Sequence, residues 1–553
     1  MSAVQLLPSL RHCALLLAIV VLIASAAAAQ LGHPQWWIVA ALAGLLCGLG
    51  VYDSVQTTHA IRRNYPIVGN IRYLIEAIRP EIRQYLIESE TEAAPFSRAQ
   101  RSLVYQRAKG VEDKRPFGTE QDVYQNGYEW INHSMRPTAI ANTDFRIAIG
   151  GERCTQPYQA SLLNISAMSF GALSANAIRA LNRGAQLGRF AHDTGEGSIS
   201  RYHRPENAGR AEAEQEGGDL IWEIGSGYFG CRDAQGRFDA DRFTQQARAP
   251  QVKMVEVKLS QGAKPGHGGM LPAPKVSAEI AEARGVPQGV DCISPARHSA
   301  FSTPVGLLEF VARLRTLSGG KPAGFKFALG HPWEFLGLCK AMLETGLLPD
   351  FIVVDGGEGG TGAAPLEFAD HIGTPLQEAL LLVHNTLVGL NLREKIRIGC
   401  SGKIISAFDI ARALAFGADW CNSARGFMFA LGCVQSQHCH TDRCPTGIAT
   451  QDKGRQRAIV VPDKAQRVAH FHRNTLRALG ELVGAAGLSH PSDLRPHHIV
   501  RRVHHNEVRL VSSLYKFLEP GELLRDPSAH ALYALYWPMA SAHSFDPQGL
   551  ASA

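Results

Sequence analysis

The sequence lacks three features that would each assign a class of function. No run of Lys and Arg with interleaved aromatic residues marks a nucleic-acid-binding face, although the net charge is +6. No strand–glycine-rich turn–helix unit of the dinucleotide-binding type is evident, so we do not expect NAD(P)H to bind this chain directly. The eleven cysteines are mostly isolated from one another, which excludes a disulfide framework and is typical of a reducing compartment.

Charged residues are absent between His12 and Tyr52. Two apolar runs, 13–29 and 36–51, flank a short break at 32–34, and each is near the minimum length of a membrane-spanning helix. The sequence therefore predicts a transmembrane hairpin. A cleaved signal peptide followed by a single span is one alternative, and an apolar hairpin buried in a globular protein is another.

Basic residues flank the apolar segment, with Arg11 before it and Arg62 and Arg63 after it. Because positively charged flanks stay in the cytoplasm, both ends of the hairpin and the large domain are predicted to face the cytoplasm. We assign residues 1–55 to this segment. Residues 56–150 begin with apolar residues at helical intervals and are predicted to form a helical connector.

The remainder of the chain alternates short apolar strands with helical patterns, which indicates parallel β/α units. The predicted strands are 161–166, 190–193, 220–225, 253–259, 324–329, 351–354, 396–400 and 419–422. Eight such strands predict an α/β fold, a (β/α)8 TIM barrel over residues 151–490, with its reactive groups at the carboxyl ends of the strands. Residues 491–553 are left as a carboxyl-terminal extension.

Three cysteines lie close together late in this region, at Cys433, Cys439 and Cys444, and Pro445 follows the last. Three thiolates on one loop, followed by proline, favour an iron–sulfur cluster over zinc, which usually needs a fourth ligand and a tighter spacing. His438 and His440 would complete a zinc site, so zinc stays open at this point, as do inert thiols.

Two glycine turns follow the last two predicted strands, Ser401-Gly402 and Arg425-Gly426. Loops at this position commonly hold a phosphate, because small residues expose backbone N–H groups. Lys326 lies within an apolar strand, where an ammonium group needs an anionic partner or a lowered pKa. The alternative to a phosphate site is an ordinary turn at each glycine. The alternative to a buried Lys326 is a side chain that faces outward from the strand.

Several blocks together resemble the synthase domain of glutamate synthase, and the membrane-attached proteins that carry this domain alone. The blocks are MSFG at 168–171, TGEG at 194–197, QGAKPG at 261–266, CISP at 292–295, GGTGA at 359–363 and the cysteine loop with the residues after it at 432–451. They occur in the order of that family. The resemblance implies a flavoprotein that binds flavin mononucleotide (FMN) and a three-iron, four-sulfur (3Fe-4S) cluster, located in the bacterial inner (cytoplasmic) membrane.

The resemblance also implies roles for individual residues. It places Ser169 beneath the flavin, Lys326 at the flavin pyrimidine edge, and Gly359 and Gly360 in close backbone approach to the cofactor. The expected cofactor-binding residues are Ser169, Lys326, Gly359, Gly360, Ser401, Gly402, Arg425 and Gly426, and the expected cluster ligands are Cys433, Cys439 and Cys444.

The resemblance implies a dicarboxylate substrate, 2-oxoglutarate. Such a substrate needs cations to bind its carboxylates, and the chain offers Lys258, Lys264 and Arg284 in and after the fourth strand. The resemblance assigns Lys264 and Arg284 to the substrate carboxylates, and Glu196 to an acidic loop after the second strand. Glu196, Lys264 and Lys326 are the expected catalytic residues. Alternatively, each of the three cations is a solvated surface residue that does not bind substrate.

The chain departs from the family pattern at two positions. Met270 replaces a polar residue that contacts the substrate in the resembling enzymes, and His267 replaces a carboxylate. We also expect no glutaminase in this chain, so its nitrogen would come from ammonia, an amine or a partner subunit.

The leading hypothesis is a membrane-anchored oxidoreductase that reductively aminates 2-oxoglutarate, or a related oxo acid, to glutamate or an N-substituted glutamate. One alternative is an FMN-dependent dehydrogenase of amino or hydroxy acids that passes electrons to membrane quinone. Another is a non-catalytic electron-transfer subunit. The expected partners are the small-molecule substrates, the membrane, and a glutaminase or electron-donor subunit.

Overall fold

The computed structural model describes residues 11–92, 94–204 and 217–549. The first ten residues of the predicted hairpin segment and the last four of the predicted extension lie outside them. The chain divides into two compact units, Met1–Pro95 and Phe96–Ala553.

The first unit is helical. Its helices are Cys13–Gln30, Trp36–Val55, Ala60–Asn64 and Gly69–Ile82, and the last continues as a π-helical turn over Arg83–Ile87. The first two helices pack against each other. By length and apolar composition alone, both qualify as membrane spans, and most of their surface is exposed.

The second unit contains strands that we number in chain order. They are β1 (Glu129–Ile131), β2 (Arg146–Ile149), β3 (Tyr158–Ser161), β4 (Leu163–Ile165), β5 (His192–Asp193), β6 (Leu220–Ile224), β7 (Val252–Lys258), β8 (Met270–Leu271), β9 (Cys292–Ile293), β10 (Ala323–Phe327), β11 (Phe351–Asp355), β12 (Arg397–Ser401), β13 (Trp420–Ser423), β14 (Ile499–His504) and β15 (Glu507–Leu510).

Eight parallel strands close into a barrel in the order β4-β5-β6-β7-β10-β11-β12-β13, with β13 pairing back to β4. Each of the eight strands predicted from the sequence coincides with one of these, so the predicted barrel is confirmed. The remaining strands form a β2–β3 ribbon, a β8–β9 ribbon and the antiparallel sheet β1-β14-β15.

The lower barrel interior is filled by apolar side chains from the beginnings of the strands, together with the β2–β3 ribbon. This cluster comprises Ile149, Tyr158, Ala160, Ala191, Ile221, Met254, Phe351, Val353 and Trp420. The opposite, carboxyl end of the barrel is left for polar residues, as is usual for this architecture.

Helices surround the barrel. They are Arg98–Lys109, Ala175–Gly188, Ala240–Ala247, Ala278–Arg284, Pro304–Leu317, Pro332–Thr345, Leu366–His371, Leu376–Gly389, Ala407–Ala415, Arg425–Leu431, Lys453–Gln456, Val461–Ala485, Val511–Leu514, Glu522–Arg525 and Ala531–Tyr536. Short 3-10 turns occur at Arg201–His203, Ala273–Lys275, Arg393–Lys395, Pro491–Asp493, Pro496–His498 and Pro527–Ala529.

Local sequence explains where several of these helices begin. Ser174 caps Ala175–Gly188 by accepting a hydrogen bond from Ala177 N, and Thr303 caps Pro304–Leu317 in the same way. Side-chain oxygens at these positions satisfy N–H groups that have no partner within the helix, and proline fits the first helical position.

The connector predicted for residues 56–150 differs from the structure beyond Lys109. That segment is mostly irregular and contributes β1 and β2, and β1 pairs with β14 of the carboxyl-terminal region. Residues of the predicted extension, including Leu518, Leu523 and Tyr533, are buried in the main core. The segments on either side of the barrel are therefore parts of its own unit.

Candidate functional site

The sequence-predicted site residues lie at or after the carboxyl ends of the barrel strands. Ser169 and Glu196 follow β4 and β5, Lys258 ends β7, and Lys326 lies in β10. The others are Lys264 in the loop after β7, Arg284 at the end of Ala278–Arg284, Gly359 and Gly360 after β11, Ser401 at the end of β12, Gly402 after it, and Arg425 and Gly426 after β13. One edge of the barrel thus carries nearly all of them.

Lys326 points into the barrel interior, where it is only 4% exposed. Its ammonium group donates a hydrogen bond to Glu223, and its Nζ lies 3.3 Å from Oε1 of Glu256, an ion pair without hydrogen-bond geometry. Asp193 completes the group, and carboxylate oxygens of the three acids lie within 4.8 Å of one another. Three carboxylates in this arrangement could hold a metal ion. Here the ammonium group of Lys326 already occupies the position of a cation beside them.

The charges of this group do not balance, since three carboxylates share one ammonium. Burial, reinforced by Glu256 and Glu223, raises the pKa of Asp193 well above its usual range. Burial also raises the pKa of Glu256 to about 7, which the attraction of Lys326 only partly offsets. Burial disfavours the charged form of Lys326, but Glu223, Glu256 and Asp193 outweigh it and hold its pKa well above the usual value. Lys326 is therefore charged, and the acids retain a proton near neutral pH.

Asp193, Glu223 and Glu256 were not predicted from the sequence. Each is a buried acid in a barrel strand with apolar residues close by, in AHD at 191–193, LIWEI at 220–224 and VEV at 255–257. An acid at such a position is rarely buried without a partner. The signal that could have found the group is the presence of such acids in the same set of strands as Lys326, which needs anionic partners.

A second charged group lies in the loops above the strands. Lys258 Nζ is 3.0 Å from Glu196 Oε2 and donates a 2.9 Å hydrogen bond to Gln261. Burial raises the pKa of Glu196, but Lys258, Lys264 and Arg284 outweigh it and bring the pKa to about 2. Burial lowers the pKa of Lys264, and Lys258 adds to that effect. Glu196 is thus in contact with Lys258 and under the electrostatic influence of two further cations, so a surplus of positive charge remains for an anionic ligand.

Arg284 is buried, with 6% of its surface exposed. Its Nη2 donates a 3.1 Å hydrogen bond to Phe170 O, and its guanidinium carbon lies 5.2 Å from the Phe229 ring centroid. Within the described part of the chain its Nε has no hydrogen-bond partner. A buried guanidinium without a carboxylate contact and with a free N–H is suited to an incoming anion.

Glycines bring the backbone close to these groups. A Cβ at Gly269 would lie 2.7 Å from Glu196 Oε1, and one at Gly360 would lie 3.0 Å from Arg425 Nε. Beneath the glycine loops, Asp355 accepts hydrogen bonds from Gly262 N at 2.7 Å and Ser401 Oγ at 2.6 Å. Asp355 was also missed by the sequence analysis. These contacts fix the loops after β7, β11 and β12 relative to one another.

Arg425 joins the glycine loops to the cysteine loop. Its Nη2 donates to Thr361 O, and its Nη1 lies 3.9 Å from Cys439 Sγ. The expected phosphate-binding turns and the three cysteines are thereby connected through one side chain.

The cysteine loop is held by its surroundings. Tyr105 donates a 2.5 Å hydrogen bond to Cys433 O, and Lys275 donates a 3.3 Å hydrogen bond to Cys439 O. Burial raises the pKa of Cys433 to about 11. For Cys444, burial is outweighed by N–H and hydroxyl donors of residues 446–449, so its pKa is lowered.

Donors aimed at a sulfur stabilise its thiolate form, which is the form that binds iron or zinc. Cys444 therefore suits a metal ligand, whereas Cys433 would lose its proton on binding the metal. His438 and His440 are exposed on its surface.

The two departures from the family pattern lie in and beside the β8–β9 ribbon. Met270 pairs with Ile293 across the ribbon, and their side chains are 61% and 64% exposed. His267 stacks edge-on against Phe368 at 5.3 Å and lines a small cavity with Glu196 and Lys258. The ribbon thus presents apolar side chains next to the charged group.

Sequence comparisons identify similar proteins. The model of a conserved region in glutamate synthase matches residues 122–489. The glutamate synthase large subunit-like protein YerD of Bacillus subtilis is 37% identical over 499 residues, which cover 83% of this chain and 93% of that protein. The archaeal glutamate synthase (NADPH) of Methanocaldococcus jannaschii is 34% identical over 333 residues, 60% of each chain. The chain therefore spans nearly all of the first relative and about three fifths of the second.

Among solved structures, a flavocytochrome b2 variant with pyruvate bound is similar at 11% identity and a TM-score of 0.40, covering 83% of this chain and 90% of that one. A mandelate oxidase variant is similar at 14% identity and a TM-score of 0.38, covering 80% and 99%.

Proposed function

The chain belongs to the glutamate synthase family, and we propose that it is a membrane-anchored FMN and iron–sulfur oxidoreductase that reductively aminates an oxo dicarboxylate. The proposed substrate is 2-oxoglutarate or a related oxo acid, and the product is glutamate or an N-substituted glutamate. The observation that carries this proposal is the group of Lys258, Lys264 and Arg284 around Glu196 at the catalytic edge of the barrel.

Three cations around one carboxylate suit a ligand with two negative charges. Arg284, with its buried and unpartnered Nε, would bind one carboxylate of the substrate. Lys264, which also lies in the charged group, would bind the other. Because both cations are at least half-buried, their attraction for the substrate is little screened by water.

Glu196 is ionised at neutral pH, since its pKa is about 2. An ionised carboxylate beside Lys258 can accept a hydrogen bond from the incoming ammonia or amine, which attacks the carbonyl carbon in its neutral form, and so orient its nitrogen. The carbonyl oxygen then leaves as water, and an imine results. The imine takes up a hydride at carbon and a proton at nitrogen to give the amino acid.

FMN, when bound, would supply that hydride. The residues expected to hold it are Ser401, Gly402, Arg425 and Gly426 at the phosphate and Lys326 at the ring. The loops after β11 to β13 fit such a ligand, because glycine leaves room there and Asp355 fixes the backbone. A charged Lys326 favours a negative charge on a group bound above it.

A 3Fe-4S cluster on Cys433, Cys439 and Cys444 would bring electrons to the site. Zinc is the alternative metal for the same loop. The electron donor is proposed to be a separate subunit, since the sequence predicts no dinucleotide-binding unit in this chain. The nitrogen source is proposed to be ammonia, an amine or a glutaminase partner.

We also propose that Cys13–Gln30 and Trp36–Val55 form a hairpin in the bacterial inner membrane, with the barrel in the cytoplasm. The apolar surfaces of both helices and the arginines at 11, 62 and 63 support this arrangement. The anchor also favours a second candidate, a dehydrogenase that oxidises an amino or hydroxy acid and passes electrons to quinone, because a membrane location serves quinone reduction.

Anaerobic flavin spectroscopy of the purified protein separates these functions. Chemically reduced protein should be reoxidised by 2-oxoglutarate together with ammonium or methylamine, and by neither alone. Oxidised protein should stay oxidised when glutamate or a hydroxy acid is added. Bleaching by an amino or hydroxy acid, without reoxidation by the oxo acid and amine, would favour the dehydrogenase. No change with either would contradict both.

A further inference from the structure

The helix Gly69–Ile82 carries an exposed apolar stripe. Ile71, Leu74, Ile75 and Ile78 are 55%, 62%, 52% and 44% exposed. With 3.6 residues per turn, these positions and Ile82 lie on one face, within an arc of about 100°. A stripe of this kind usually packs against a core.

Nothing in the described chain covers this stripe. Gly69 is the only buried residue of the helix, and the π-helical turn that follows exposes Tyr85, Leu86 and Ile87 by 58%, 79% and 71%. A helix of this length is marginally stable alone in water. The apolar face therefore needs a surface that the described chain does not provide.

Arginines lie along one edge of the stripe. Arg72 and Arg79 are two turns apart, and Arg83 follows one turn later. The ion pair of Arg79 with Glu76 is 3.8 Å long between side chains that are 71% and 53% exposed, so it neutralises the edge only weakly. Arg83 Nε lies 3.6 Å from Oε1 of Glu88, and the Arg83 side chain stays 65% exposed. An apolar face bordered by arginine side chains matches the boundary between acyl chains and anionic headgroups.

The helix is attached to the end of the apolar hairpin. Asp53, in the last turn of Trp36–Val55, accepts hydrogen bonds from Ile67 N at 3.0 Å and Asn70 Nδ2 at 2.5 Å. The Arg62 guanidinium carbon lies 4.3 Å from the centroid of the Tyr73 ring. These contacts hold the start of the helix next to the end of the second apolar helix. If the hairpin spans the membrane, that end lies at the membrane surface.

We propose that Gly69–Ile82 lies in the cytoplasmic surface of the bilayer, with its apolar stripe among the acyl chains and Arg72, Arg79 and Arg83 at anionic headgroups. This inference rests on the proposed membrane insertion of the hairpin. The helix would then be a second membrane contact of the protein, in addition to the transmembrane hairpin, and would lie parallel to the bilayer surface.

Depth-dependent fluorescence quenching in the full-length protein tests the inference. An environment-sensitive fluorescent amino acid is incorporated singly at Leu74 on the stripe, at Glu76 on the opposite face, or at Leu45 within the hairpin. Each variant is reconstituted into vesicles of phosphatidylcholine and phosphatidylglycerol. Quenching by iodide in the water is compared with quenching by lipids brominated along the acyl chains, and detergent-solubilised protein serves as the reference.

We expect the iodide quenching constant at position 74 to fall several-fold on reconstitution, with quenching by brominated lipid in its place. Position 76 should stay accessible to iodide, and position 45 should be quenched by brominated lipid. Equal iodide access at 74 and 76, with 45 quenched by lipid, would overturn the inference while leaving the hairpin in place. Protection of position 74 from iodide without quenching by brominated lipid would overturn the inference and indicate that the stripe contacts protein instead. Absence of lipid quenching at 45 would overturn the anchor and this inference together.

Discussion

Three buried carboxylates face one ammonium in the barrel, and this imbalance makes the protein sensitive to pH. The folded-state pKa of Glu256 is raised to about 7 from a value of 4.5. A raised carboxyl pKa means that folding favours the protonated form, so the stabilisation is present at low pH and is lost as the pH rises through about 7.

Replacing Glu256 with glutamine removes this titration. We expect the thermal midpoint of the parent protein to fall as the pH rises through about 7, and the fall to be smaller in Glu256→Gln. Thermal unfolding across a pH series measures the difference, and Glu367→Gln, on an exposed helix, is the control. Identical pH profiles for the parent and Glu256→Gln would show that Glu256 does not hold the proton.

Arg284 and Arg232 offer a matched pair for testing substrate binding, since both guanidinium groups lie against Phe229, at 5.2 Å and 5.6 Å. Loss of a charged partner in a desolvated site costs about 2–5 kcal/mol, so Arg284→Ala should raise the KM for the oxo acid tens-fold or more. Arg232→Ala should leave it nearly unchanged. Steady-state kinetics with flavin spectra of both variants provides the measurement, and an unaltered KM in Arg284→Ala would refute the dicarboxylate assignment.

At the level of elements, the cysteine loop is the segment whose chemistry is most open to direct test. Serine at Cys433, Cys439 or Cys444 should abolish bound iron, because a cluster with three protein ligands does not tolerate the loss of one. Serine at Cys339, which is buried in helix Pro332–Thr345, should leave iron unchanged. Metal analysis of anaerobically prepared protein decides this, and stoichiometric zinc without iron in the parent would exclude the cluster.

The barrel strands could be predicted from the sequence because each is a short apolar run between a helix and a loop. The strand β1 could not, since Glu129–Ile131 pairs with β14, about 370 residues later, and Glu129 is fixed there by Arg501. Long-range pairing of this kind leaves no local pattern. A helical connector was therefore the wrong expectation for the segment beyond Lys109.

The candidate site could be predicted where residues lie in recognisable loops or, as with Lys326, where a lone cation interrupts an apolar strand. Glu196, Lys264 and the cysteines were found in this way. Glu223 and Glu256 were not, because the two acids meet only when β6 and β7 pair. Their significance comes from the shared contact with Lys326, which no single segment of the sequence contains.

For the whole molecule, the proposed membrane arrangement predicts an orientation. Both flanks of the apolar hairpin carry arginine, so the carboxyl terminus should lie in the cytoplasm. Green fluorescent protein fused to the carboxyl terminus should fluoresce in bacterial cells and remain with the membrane fraction after alkaline washing. Alkaline phosphatase fused at the same point should be inactive. A dark fluorescent fusion with an active phosphatase fusion would reverse the orientation, and release of the protein by the wash would contradict the anchor.

We propose that this site forms an amino acid from an oxo dicarboxylate and an amine, and a single turnover tests this reaction most directly. Chemically reduced protein is mixed anaerobically with 2-oxoglutarate and isotopically labelled ammonium, and the products are identified by mass spectrometry. We expect labelled glutamate in an amount close to the bound flavin, and its slower formation in Arg284→Ala at the same oxo-acid concentration. Labelled methylamine should be run in parallel, because Met270 and Ile293 suit an amine with an apolar substituent. Full reoxidation of the flavin with no labelled amino acid from either amine would contradict the claim.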